Sequence, residues 1–269
     1  MIHQNNISAP EQIVELPSNG NNSLIKYTLH LADSSLIMGH RLSEWAAHGP
    51  TLEQDIAISN IALDLIGQSR NFYQYAALIS GDGHSEDSLA YLRDANDFKN
   101  LLINELPNGD WAHTTLKIFF FSNFQSLLYN KMIGSSDKQL AAIAEKSLKE
   151  VTYHLRWSSE WIIRLGDGTD ESHLRIQKAL NDLYAYTSEM FEMEDFENSL
   201  LSSNVSIDVK TLQQSWNEKN QDIFNEASLI ITNTAPHPQK GKQGKHTEHL
   251  QLILDEMQEL QRKYPGLEW

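Results

Sequence analysis

The chain has 269 residues, 40% of them apolar, with 36 acidic side chains against 21 basic ones and a formal net charge of -15. That length can bury one large core, and a charge so negative argues against nucleic acid or an anionic membrane surface as partner. The lack of cysteine excludes disulfides, thiolate metal sites, iron–sulfur ligation and thiol catalysis, so any metal would be held by His, Asp or Glu.

Residues 1–23 have neither a basic start nor an apolar core, and no later stretch reaches the roughly 18 apolar residues of a membrane span. The expectation is a cytoplasmic protein with a flexible extension over 1–23 and a single helical domain over 24–269. Apolar residues recur at three- and four-residue spacing between few breakers, which makes the chain all-α. A helix is expected from Leu24 to Trp45, closed by His48-Gly49-Pro50, and a second from Leu52 to Ile79 with Thr51 as N-cap. Ser85 to Leu106 reads as a third, ended by Pro107-Asn108-Gly109. Trp111 to Ile133 and Asp137 to Leu165 form another long hairpin around Gly134-Ser135-Ser136. Four long helices in two tightly turned pairs predict a four-helix bundle with a helical crossover. Further helices follow over Asp170 to Met190, Val209 to Ile230 and Thr247 to Tyr264. The acid-rich run Met190 to Leu200 reads as a solvated surface.

A long four-helix bundle raises the question of a di-iron site, which takes one acid from each of two helices and a Glu-x-x-His from each of the other two. Mirroring the first hairpin about its turn sets Asp33 opposite Asp64. Mirroring the second sets Glu150 opposite Phe120, within the Phe119-Phe120-Phe121 run, and an aromatic ring cannot ligate iron. Gly67 stands three residues after Asp64 and Tyr153 three after Glu150, with His154 one further, so both Glu-x-x-His patterns are broken. His154 reads first as a hydrogen-bonded core or interface histidine, with ligation of a single metal as the alternative. The polar residues Asn60, Asp64, Gly67, Gln68 and Asn71 are either a solvent face or an interior that keeps polar partners without metal; Asp33, His40 and Glu44 pose the same choice on the first helix. Buried carboxylates without metal need a counter-charge, and Lys117, about one turn from Phe120, is the candidate ammonium. The rings of Phe119, Phe120, Phe121, Phe124, Trp111, Trp157 and Trp161 read as core or subunit interface. His246-Thr247-Glu248-His249 has metal-like spacing but an ordinary explanation, with Thr247 as an N-cap. Lys240, Lys242 and Lys245 form a basic patch that could meet an acidic partner or a phosphate-bearing ligand, against the plain reading of a solvated loop.

Four strings carry a family resemblance: LADSSLIMGHRLSEWAAHGPTLEQDIAISNIALDLIGQSRNFYQYAA from Leu31, FKNLLINELPNGDWAHT from Phe98, LKEVTYHLRWSSEWIIRLGDGTDES from Leu148, and KGKQGKHTEHLQLILDEMQELQRKYPGLEW from Lys240. Together they resemble the family of C-type subunits of phenylacetyl-CoA 1,2-epoxidases, over residues 24–269. The resemblance implies a ferritin-like four-helix bundle with additional C-terminal helices. It implies a non-catalytic component that pairs with and stabilises the di-iron catalytic (A-type) subunit of the epoxidase; separately, so aromatic a helical surface is expected to self-associate when the chain is expressed alone. It implies no cofactor on this chain: the di-iron centre belongs to the catalytic subunit, and flavin and an iron–sulfur cluster to an NADPH-dependent reductase subunit. Asp33, Asp64, Glu150 and His154 would then be remnants of a degenerate site. Two other functions compete: an oxygenase subunit holding its own metal through those four residues, and a CoA-ligand holder using Lys240, Lys242 and Lys245.

Overall fold

The computed structural model describes residues 20–81, 83–232 and 235–264. Within them the chain forms helices and turns with no strand. The long elements are α1 (Gly20–Ser43), α2 (Leu52–Ser80), α5 (Trp111–Met132) and α6 (Lys138–Gly166). Short helices α3 (Glu86–Tyr91) and α4 (Leu102–Glu105) lie between the pairs, and α7 (Asp170–Leu183), α8 (Asp195–Asn198), α9 (Gln213–Glu226) and α10 (Glu248–Lys263) follow. Helix α1 packs along α2, α5 along α6, and α2 and α6 join the two hairpins. The all-helical architecture agrees with a ferritin-like fold, and none of the described helices is long and apolar enough to cross a membrane.

Local chemistry explains the boundaries. Asp110 and Asp137 cap α5 and α6 through their carboxylates, and Thr247 caps α10 by accepting the His249 amide. Thr51 precedes α2 in an extended conformation but makes no side-chain cap bond. Helix α5 is apolar on every side, and such a helix must be covered all round. Phe119, Phe120, Phe121 and Phe124 are all buried; Phe120 meets Trp216 and Phe224 of α9 at ring separations of 5.4 and 6.1 Å. The Phe run is therefore core.

The expected single helix from Ser85 to Leu106 does not form. It is replaced by α3, a turn at Ala95–Asp97, an extended stretch and α4. The extended backbone lets the Lys99 amide donate to Asp33 Oδ2 at 2.8 Å and the Leu101 amide to Ser34 Oγ at 3.2 Å, while the Lys99 carbonyl accepts from His30 Nδ1 at 2.7 Å. A continuous helix would hold those groups in its own ladder, so the side chains of α1 decide the local structure. The acid-rich run also departs from expectation: Met190, Phe191, Phe196 and Glu197 are buried there rather than solvated. The extension over 1–23 falls outside the described residues except for 20–23, which begin α1.

Candidate functional site

Asp33, on the inner face of α1, has no exposed surface. The register of the first hairpin sets it against Tyr73 rather than Asp64, just as Gly39 of α1 lies against Ile66 of α2. The Tyr73 hydroxyl donates to Asp33 Oδ1 at 2.5 Å and the Lys99 amide to Oδ2. Arg93, from the segment after α3, closes on both oxygens, its Nη1 reaching Oδ2 at 3.2 Å and its Nη2 reaching Oδ1. Its remaining donors reach the Leu89 carbonyl, the Asp97 carbonyl and the Tyr73 hydroxyl, and the guanidinium stacks on Phe98 with its carbon 4.2 Å from the ring centre. Burial opposes the Arg93 charge, but the Asp33 carboxylate holds its pKa above the ordinary range. Helix α10 fixes the Arg93 carbonyl through Gln258 and Arg262.

Asp64, Glu150 and His154 do come together, between α2 and α6. The His154 ring is 1% exposed, with Nε2 3.0 Å from Asp64 Oδ2, and Gln68 Nε2 donates to Glu150 Oε2 at 2.9 Å. The polar residues continue inward: Gln125 Nε2 donates to the Tyr129 hydroxyl at 3.0 Å and to Ser35 Oγ at 3.4 Å. Burial, with Asp64 beside it, pushes the Glu150 carboxyl up although Gln68 opposes this. The two readings of the α2 polar stripe divide: Asn60 and Gly67 face solvent, while Gln68 is interior. On α1, Asp33 is interior, whereas Glu44 lies at the surface and pairs with Arg41 at 2.7 Å.

These donors do not fit a two-iron centre. At this level α1 contributes a hydroxyl and α5 a carboxamide and a phenol where acids are needed, and the Gln68 N–H group points at Glu150 where a cation would be repelled. Asp33, the most enclosed acid of the four candidates, is neutralised by Arg93. Among the described residues no group of three or more His, Asp or Glu is arranged to hold a metal ion. The inner cavity beside Gln125 and Tyr129 measures about 10 Å³, room for one water and far too small for an aromatic substrate.

Lys117 does not substitute for a metal. It is fully buried, but its Nζ donates to the carbonyls of Leu106 and Pro107 at 2.7 and 3.1 Å and to Asn108 Oδ1 at 3.3 Å, on the turn before α5 and away from the three acids. Burial, reinforced by the neighbouring Arg41, pulls it down to about 7. The arginine that sequence reasoning missed takes that part at Asp33.

The lysine patch is also mostly internal. Lys242 Nζ has no exposed surface and donates to both Glu197 oxygens at 3.1 Å and to the Glu192 carbonyl at 2.8 Å, and Lys240 pairs with Glu192. Lys245 alone of the three is exposed. Close approach explains the glycines of this loop: a Cβ on Gly241 would lie 2.0 Å from the Asn100 carbonyl oxygen, and one on Gly244 would lie 2.3 Å from that of Asn96. Next to it, His246 Nδ1 sits 2.8 Å from Glu105 Oε2 and Nε2 sits 2.9 Å from the Phe98 carbonyl. Burial pulls His246 down, but Glu105 and the Phe98 carbonyl outweigh it and raise its pKa. His246 to His249 is thus a clasp and an N-cap rather than a metal knot. His113 lies between two carboxylates, Asp110 at 2.7 Å and Asp182 at 2.9 Å.

Four tryptophans gather in one cluster: Trp45 from the turn after α1, Trp111 of α5, and Trp157 and Trp161 of α6. Trp111 packs edge-on against Trp45, Trp161 and Trp157 at 5.2, 5.4 and 5.8 Å.

The phenylacetic acid catabolic protein family matches residues 8–269. A curated relative, the C subunit of the 1,2-phenylacetyl-CoA epoxidase of Escherichia coli (strain K12), is 44% identical over 248 residues, which cover 92% of this chain and 100% of the relative. With a match this long and an all-helical bundle to carry it, the chain belongs to the phenylacetic acid catabolic protein family.

Proposed function

We propose that this chain is a non-catalytic component of a phenylacetyl-CoA epoxidase, which pairs with and stabilises the di-iron catalytic subunit in aerobic phenylacetate breakdown in the cytoplasm. The observation that carries this reading is the level of Asp64, Glu150 and His154, where α1 supplies the Ser35 hydroxyl and α5 supplies Gln125 and Tyr129 in place of acids, while the buried Asp33 of α1 is taken up by Arg93. The chain's own residues then do no redox chemistry; iron, flavin and the iron–sulfur cluster belong to other subunits. A metal-holding oxygenase using Asp33, Asp64, Glu150 and His154 is disfavoured because Asp33 and the other three lie in different clusters. A CoA holder built on Lys240, Lys242 and Lys245 is disfavoured because Lys242 is internal and Lys240 is paired.

Pairing is supported by the outer face of α2. Leu52, Ile56 and Leu63 are 71%, 53% and 66% exposed along one stripe, and a Cβ on Gly67, further along it, would meet nothing within 4 Å. An apolar helical stripe of this kind suits a facing helix from the catalytic subunit. Co-expression with that subunit tests it: Ile56→Asp with Leu63→Asp abolishes co-purification while leaving the helical circular dichroism unchanged. Undiminished co-purification of that variant removes α2 as the pairing face, and failure of the wild-type chain to co-purify removes the proposed function.

A further inference from the structure

A solvent-open cleft of about 430 Å³ lies between the start of α1, the extended stretch after α3, and α8. Its lining includes Ser23, Lys26, Lys99, Glu194, Asp195 and Ser199. Elsewhere, three cations drawn out of solvent have a carboxylate partner, Arg93 with Asp33, Lys242 with Glu197 and Arg41 with Glu44, and Lys117 is held by two carbonyls. Lys99 differs. It is half-buried, and among the described residues no carboxylate lies within ion-pair distance of its Nζ or of that of Lys26. Burial pulls the Lys99 ammonium down, and Lys26 adds to this by repulsion against the pull of Asp33 from within.

Lys99 is also fixed in place. Its amide is held by Asp33 and its carbonyl by His30, so both backbone groups are pinned by buried side chains of α1. Lys26 lies seven residues before Asp33 on that same helix, whose first turn carries no acid. The two acids of the cleft are differently placed. Glu194 accepts from Gln243 Nε2 at 3.1 and 3.2 Å and caps α8, and Asp195 lies on the exposed rim. The cleft is thus lined by two lysines without an ion-pair partner, Lys26 and Lys99, and by the hydroxyls of Ser23 and Ser199.

We propose that Lys26 and Lys99 form a binding site for a phosphomonoester group in this cleft. A phosphate supplies the charge and acceptor oxygens that two unpaired ammonium groups lack, and the volume admits such a group with part of what it is attached to. The chemistry fits both free phosphate and the phosphate end of a coenzyme A thioester. The site is independent of the pairing face on α2, so either reading can fail without the other.

The test titrates the full-length chain with coenzyme A and with inorganic phosphate by calorimetry, beside Lys26→Gln/Lys99→Gln and a control, Lys146→Gln/Lys149→Gln, on the exposed face of α6. Wild type and control are expected to bind, with the cleft variant weakened about ten- to a hundred-fold, the loss expected for a charge-assisted contact. Binding of coenzyme A in competition with phosphate assigns the site to the cofactor; binding of phosphate alone assigns it to the free anion. Equal affinity of wild type and cleft variant, or no binding of either probe at millimolar concentration, overturns the proposal.

Discussion

Replacing Arg93 by Met leaves Asp33 with Tyr73 and one backbone amide but no counter-charge, in a position with no exposed surface. The Leu89 and Asp97 carbonyls lose a donor in the same step. Removing one partner of a buried ion pair costs about 3–5 kcal/mol, a large part of the roughly 5–15 kcal/mol that holds a domain folded. The second variant separates charge from packing. Asp33→Asn with Arg93→Met removes the stranded charge while keeping an acceptor for Tyr73, and should recover at least about 1 kcal/mol relative to Arg93→Met alone. Urea unfolding followed by far-ultraviolet circular dichroism measures all three. An Arg93→Met loss below about 1 kcal/mol, or a double variant worse than the single one, would refute the idea that Arg93 neutralises Asp33.

Two histidines give pH dependences of opposite sign. His246 has its folded pKa raised above 6.5, so its stabilisation is complete below pH 6.5 and is lost as pH rises through the folded value. Unfolding of wild type and His246→Gln should therefore differ most at pH 6 and converge on the alkaline side. His30 is lowered from 6.5 to about 3 by burial, with Lys242 adding to the effect, so it destabilises the fold progressively as pH falls from 6.5 towards 3. His30→Phe should flatten that acid limb. At the clasp, Gly241→Ala forces a Cβ to 2.0 Å from a backbone oxygen and should cost about 1–3 kcal/mol, whereas Gly67→Ala, with open space around it on an exposed helix, should gain about 0.5–1 kcal/mol. Thermal denaturation of both variants checks the pair of signs.

The long helices were legible because their sequences run long and apolar with few breakers and their ends carry caps, as at Asp110, Asp137 and Thr247. The broken Glu-x-x-His patterns were legible from spacing alone, and His154 does meet Asp64 across the α2–α6 contact. The partner of Asp33 was not, since mirroring a hairpin depends on where its turn is centred, and the register of α1 on α2 sets Tyr73 against it. One signal could have found Arg93: an acid in an apolar helix needs a cation, and Arg93 is the sole arginine between Arg70 and Arg156. The crossover escaped because its backbone is shaped by His30, Asp33 and Ser34, which lie 66 to 69 residues earlier in the chain. Lys242 and Glu197 escaped for a related reason: each stands in a polar run that looks solvated by itself, and each becomes interior by meeting the other.

The central claim, that iron chemistry resides in a partner rather than in this bundle, is tested most directly by iron content after anaerobic loading with ferrous iron. The chain purified alone is compared with the chain co-purified with the catalytic subunit. The account predicts iron in the pair and only trace amounts in the isolated chain; about two irons per isolated chain would contradict it.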